Sequence, residues 1–168
     1  MAKSVSKNGS RRDDYETPWA VVRWLEARFG AFDLDPCCSR STKKAPRYIS
    51  EQGNGLLRRW SGNVFMNPPW SQPLQSLFLY MARTEVRTGH ADQVVGLIPS
   101  CNMDTIAWHD EILNCGAHEL IIVRGRIHFL LDGEPRPNSS VPTAFPIWRG
   151  KRAPRSPKIF TVRASDLR

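Results

Sequence analysis

The sequence predicts an α/β fold, a mostly parallel sheet flanked by helices, and three observations carry that expectation. Short apolar runs of strand character alternate with segments whose apolar residues fall at helical spacing, the order that produces crossovers between parallel strands. Two of the runs end in a polar residue followed by proline, Asp35-Pro36 and Asn67-Pro68, at the strand ends where ligands of such sheets collect. The 168 residues suit one compact domain with a substantial core, and no internal repeat divides them.

Taken in order, residues 1–12 are polar and basic and read as a flexible arm. They lack the apolar stretch of a secretory signal, so the chain is expected in the cytoplasm. Pro18 to Phe29 puts Val21, Val22, Leu25 and Phe29 on one helical face, with Thr17 as the N-cap, Pro18 at the first helical position and Gly30 as the stop. Ala31 to Asp35 forms a first strand. Asn63 to Asn67 forms a second, halted by Pro68 and Pro69, which cannot continue a central ladder. A helix over Leu74 to Val86, a strand ending at Pro99, a helix over Thr105 to Leu113 and a strand over Glu119 to Val123 follow, then two short strand-like pieces. Gly133 to Pro142, rich in proline, serine and asparagine, is expected to be a mobile loop. The domain thus spans 13–150, and 151–168 is a basic C-terminal segment.

Composition narrows the partners. No apolar run approaches the roughly 18 to 20 residues that span a bilayer, so no membrane span is expected. Cys37, Cys38, Cys101 and Cys115 lack metal-ligand spacing, and His90, His109, His118 and His128 are scattered, so no metal site is expected and the thiols should be reduced. Twenty-four Lys and Arg against 16 Asp and Glu leave a net charge of +8 and favour a polyanionic partner such as nucleic acid. Trp19, Trp24, Trp60, Trp108 and Trp148 read as packing residues.

Asn67-Pro68-Pro69-Trp70 is the sharpest local signal. A rigid surface turn would explain the tetrapeptide alone, but its position after a buried strand in a basic chain points to chemistry. An exocyclic amino nitrogen such as that of adenine attacks poorly, because its lone pair is delocalised into the ring. Two acceptors, the Asn67 side-chain oxygen and the Pro68 carbonyl, can take its hydrogens and localise that pair toward an electrophilic methyl group. Pro68 and Pro69 fix the backbone that aims the carbonyl, and Trp70 offers an aromatic wall for a base taken out of its stack.

Over most of its length the chain resembles the phage-type, Dam-like DNA N6-adenine methyltransferases. The pieces that carry the resemblance are Tyr15-Glu16-Thr17-Pro18, Phe32 to Cys37, Gly55-Leu56 through Trp60, Asn63 to Trp70, Leu97-Ile98-Pro99 and Arg124 to Phe129. The resemblance implies a Rossmann-like methyltransferase fold, S-adenosylmethionine as methyl donor, DNA as partner, Asn67 to Trp70 as the adenine site and a GATC target. It also implies that Tyr15, Thr17, Pro18, Asp33, Asp35 and Pro36, before and within the first strand, hold the donor. From the residues alone, Asp35 can meet the donor's amino acid group or its ribose hydroxyls, or can cap a turn, and Asp33 has the alternate side-chain direction.

The run after Asp35-Pro36, Cys37 to Thr42, lacks the glycine-rich turn of many amino-methyltransferases, so the backbone must approach the donor differently. Pro99-Ser100 closes a strand on the same sheet edge and is expected to border the pocket. The loop at Gly133 to Pro142 is expected to contact DNA. Two other readings remain open: methylation of another planar nitrogen, in RNA or a protein glutamine, and a DNA-binding module without turnover.

Overall fold

The computed structural model describes residues 15–114 and 116–167. The arm expected at 1–12 and Cys115 lie outside the described residues. The elements in chain order are α1 (Trp19–Phe29), β1 (Leu34–Asp35), β2 (Arg47–Tyr48), β3 (Gly62–Met66), α2 (Leu74–Arg87), β4 (Ala91–Gly96) and β5 (Ile98–Pro99). Then come α3 (Ile106–Trp108), which continues into a wider π turn at His109–Leu113, β6 (Glu119–Arg124), β7 (Ile127–Leu131), β8 (Glu134–Val141), β9 (Thr143–Arg149) and β10 (Lys158–Arg163).

One sheet runs β10-β6-β9-β4-β3-β1-β2, with β5 paired to β9 beside it, and β7 and β8 form a separate hairpin. Within the large sheet β9 runs antiparallel to β4, β5 and β6, and the remaining pairs are parallel. The C-terminal ends of β1, β3, β4, β6 and β10 therefore share one edge. Alternation along the strands sends Val64 and Met66 to one face and Phe65 to the other, and likewise separates Val94 from Val95. The face of Val64 packs under α2 through Phe78, Leu79, Ala82 and Val86; the opposite face packs under α1 through Val21, Val22 and Leu25. Burial on both faces is the reason these strands read as continuous apolar runs.

Several sequence expectations need correction. α1 begins one residue later than expected: Pro18 occupies the N-cap with extended backbone, and Thr17 makes no cap bond to the helix. The helix starts on the Pro18 carbonyl, which accepts from Val21 and Val22 nitrogens. Its other end is closed by Asn63, whose side-chain nitrogen donates to the carbonyls of Phe29, Gly30 and Ala31, filling acceptors a helix terminus leaves open. Four strands, not two, follow β6. The segment expected as a mobile loop contains the whole of β8, turned back on β7 through Asp132 and Gly133, both at positive φ. Residues 158–163, from the basic C-terminal segment, pair as β10 along the whole of β6. Trp60, Trp108 and Trp148 are buried as expected, but Trp19 is 47% exposed and lies under the Lys44 ammonium.

Candidate active site

Asn67 follows the last residue of β3, on the edge where the parallel strands end. Its side-chain nitrogen donates to the Tyr15 carbonyl at 2.9 Å and to the Thr17 hydroxyl oxygen at 3.2 Å. Both amide hydrogens are thus spent, which fixes the orientation of the group. Its oxygen, Oδ1, is buried and has no partner among the described residues. A buried acceptor left unpaired costs on the order of 1 to 3 kcal/mol, and such an atom suits a donor brought by a ligand. Pro68, the next residue, is buried.

An aromatic cluster closes this side. Tyr15 stacks on Phe129 with centroids 5.4 Å apart, and Trp70 meets Tyr15 and Phe129 edge-on at 5.4 and 5.1 Å. At 6% exposure Trp70 is mainly engaged in this packing. Glu16 joins the cluster to β7 by a pair of backbone bonds with Leu130, at 3.0 and 2.9 Å. Its carboxylate receives the ammonium of Lys44, which is 3% exposed, at 2.8 Å. The sequence assigns no individual role to Glu16 or Phe129, although both lie within the pieces that carry the resemblance.

Asp35 sits on the same edge, at the end of β1, which pairs with β3. Its two carboxylate oxygens accept from the backbone nitrogens of Cys37 at 3.3 Å and Lys44 at 3.0 Å, tying down both ends of the 37–44 loop. Burial pushes its carboxyl up to about 6, against the lowering effect of those amides and the Lys44 charge. Burial likewise holds the Cys37 and Cys38 thiols above their ordinary range. Pro36 is buried, and its carbonyl lies so close to Gly55 that a Cβ there would stand 2.1 Å from the oxygen. Trp60, fully buried, donates its indole N–H to the Gly55 carbonyl at 2.9 Å. The Gly55 to Trp60 piece therefore props up the strand end that carries Asp35.

Asp33 is not brought to this site. Its carboxylate accepts from the Asn63 nitrogen at 2.8 Å near the start of β3, four residues and roughly 13 Å of strand from Asn67. Two residues of strand separate it from Asp35, so it serves the opposite end of the sheet. Leu97, just before β5, donates its nitrogen to the Met66 carbonyl at 2.8 Å, one residue from Asn67, and Pro99 ends β5 two residues further on, paired with Thr143 of β9. No cluster of three or more potential metal ligands occurs among the described residues, and no described helix is long and apolar enough to cross a membrane.

A mostly parallel sheet with one reversed strand, carrying a polar site on its C-terminal edge, defines the Rossmann-like methyltransferase class. Two solved structures share that fold. One is the modification subunit of a candidate type I restriction enzyme from Vibrio vulnificus YJ016, with TM-score 0.54 and 12% identity over 95% of this chain and 48% of that one. The other is a candidate RNA methyltransferase from Pyrococcus horikoshii, with TM-score 0.52 and 14% identity over 86% of this chain and 90% of that one. Within the class, the chain belongs to the DNA N-6-adenine-methyltransferase (Dam) family, whose model matches residues 4–166. It is 33% identical over 133 residues, 78% of its length, to the DNA N-6-adenine-methyltransferase of Escherichia phage T1. The chain covers 53% of that relative's own length.

Proposed function

We propose that the protein transfers a methyl group from S-adenosylmethionine to the N6 amino group of adenine in DNA, with the base turned out of the duplex into the site at Asn67 to Trp70. The unpaired Asn67 Oδ1 carries this reading. It is a buried acceptor in a fixed orientation at the edge where such folds bind ligands. One N6 hydrogen goes to Asn67 Oδ1 and the other to the Pro68 carbonyl, which localises the nitrogen lone pair. No general base is needed for attack: the N–methyl bond forms as the methyl–sulfur bond of the donor breaks, S-adenosylhomocysteine leaves, and the alkylated amino group, now acidic, gives its proton to water. Trp70, with Tyr15 and Phe129 behind it, forms the wall against which the base lies.

When bound, S-adenosylmethionine supplies a methyl group activated on a positively charged sulfonium. The chain's residues fit a cationic, partly apolar ligand. Asp35 carries a carboxylate in apolar surroundings beside β3, and a positive charge near it would relieve part of the cost of burying it. Because its oxygens already hold two backbone amides, Asp35 also shapes the 37–44 loop as the donor's rim, in place of a glycine-rich turn. In this reading Tyr15, Thr17, Pro18 and Pro36 complete the donor's lining. The target is a short duplex sequence, with GATC the first to test.

The direct experiment is transfer of labelled methyl from S-adenosylmethionine to unmethylated duplex DNA, with nucleoside analysis of the product. Label in N6-methyladenine is the expected result. Donor binding without labelled DNA would move the acceptor to RNA or protein, and DNA binding without donor binding would leave a module without turnover.

A further inference from the structure

We propose that Arg124 and Arg163 form a docking patch for the phosphodiester backbone of duplex DNA, remote from the reacting adenine. They line an open depression with Gly125, Ala164 and Ser165, where β6 and β10 end. Arg124 and Arg163 face each other in register across these parallel strands, so two exposed guanidinium groups leave the sheet side by side. Like charges in such a pair repel. Among the described residues no carboxylate lies within ion-pair distance of either, whereas Arg28, Arg83 and Arg149 each have one. The nearby Asp166 accepts from the Ser165 hydroxyl at 3.1 Å. Gly125, at φ 94°, makes the turn that returns Arg126 to the same rim. A polyanion relieves the repulsion, and planar guanidinium groups suit phosphate oxygens.

The position gives the patch a reach. β6 lies three strand spacings from β3 and β10 four, which is roughly 14 and 19 Å from Asn67 along the edge. At about 3.4 Å of axis per base pair, a duplex lying along that edge with its target adenine at Asn67 carries phosphates over the arginines about four to six base pairs away. This inference rests on the reading of duplex DNA as substrate.

The test compares wild type with the double variant R124A/R163A, using a 24-base-pair duplex and a duplex extending only two base pairs on each side of the target. For the long duplex, the variant should lose roughly two from the slope of log affinity against log salt, so the wild-type advantage shrinks about tenfold between 50 and 200 mM salt. The short duplex should show no difference. R124K/R163K, which keeps the charges, should restore most of the slope, and S-adenosylmethionine binding by calorimetry should match wild type, showing that the fold is intact. An unchanged slope on the long duplex, in an enzyme that methylates DNA, would overturn the patch. A wild type that methylates no DNA would instead overturn the functional reading.

Discussion

The hydroxyl of Thr17 accepts a hydrogen bond from the side-chain amide of Asn67 at 3.2 Å, across 50 residues of sequence. The same nitrogen also donates to the Tyr15 carbonyl, so the segment before α1 sets which way the amide faces. With the nitrogen so held, the oxygen is the atom left for a substrate amino group. Four predictions follow this chain of contacts from the amide to the strand end.

Asn67→Ala removes the proposed acceptor without disturbing the apolar packing beneath it. We expect turnover to fall about 100- to 1,000-fold, the scale seen when one polar group of a charge-stabilising site is lost. Donor affinity, measured by calorimetry, should change less than about threefold. Turnover within a few fold of wild type would take Asn67 out of the reaction.

Thr17→Val keeps the shape of a 2% exposed side chain but leaves the amide with a single fixed partner. The oxygen and nitrogen of Asn67 can then exchange places, and kcat should fall about tenfold, or about 1.4 kcal/mol. Thr17→Ser should restore most of the rate. If Thr17 acted only as a packing residue, serine would be the worse variant and valine the better one.

Asp35 makes stability depend on pH in a definite direction. Its carboxyl is raised by burial to about 6 in the folded chain, against about 3.9 when unfolded. The folded state therefore holds the proton more tightly. The contribution is fully present below pH 4 and is lost as pH rises through 6, on the order of 2 to 3 kcal/mol in all. The stability of Asp35→Asn minus that of wild type should accordingly increase between pH 4 and 7, as read by denaturant unfolding at each pH. A flat difference would mean that Asp35 is not buried as a lone carboxyl.

Gly55→Ala would place a Cβ 2.1 Å from the Pro36 carbonyl oxygen, a contact that backbone must move to relieve. A cost of at least about 3 kcal/mol is expected, with a fall in Tm of about 10 °C. Donor affinity should fall with it, since the displaced strand end carries Asp35. A Tm within about 2 °C of wild type would show that this turn and β1 do not meet.

The sequence by itself determined the order of the main helices and parallel strands from α1 to β6, β2 excepted, the stop at Pro68 and Pro69, and the placing of Asp35 and Asn67 at strand ends. These features rest on local periodicity and on backbone restrictions that proline imposes wherever it occurs. Asp132-Gly133 carries a two-residue hairpin signal, but the prolines and polar residues of β8 give the stretch after it the look of a loop, which is how the sequence reads. Only the tertiary structure decided the rest. Thr17 has the composition of a helix cap, but the partner its hydroxyl meets is Asn67. Asp33 and Asp35 look alike in sequence, yet pairing with β3 sends one carboxylate to the start of that strand and leaves the other beside its end. The reversal of β9 between β4 and β6 likewise depends on which strands find each other. Contacts between distant segments form only when burial of both sheet faces repays the entropy of closing the intervening loops, and no local pattern records which pairing achieves that.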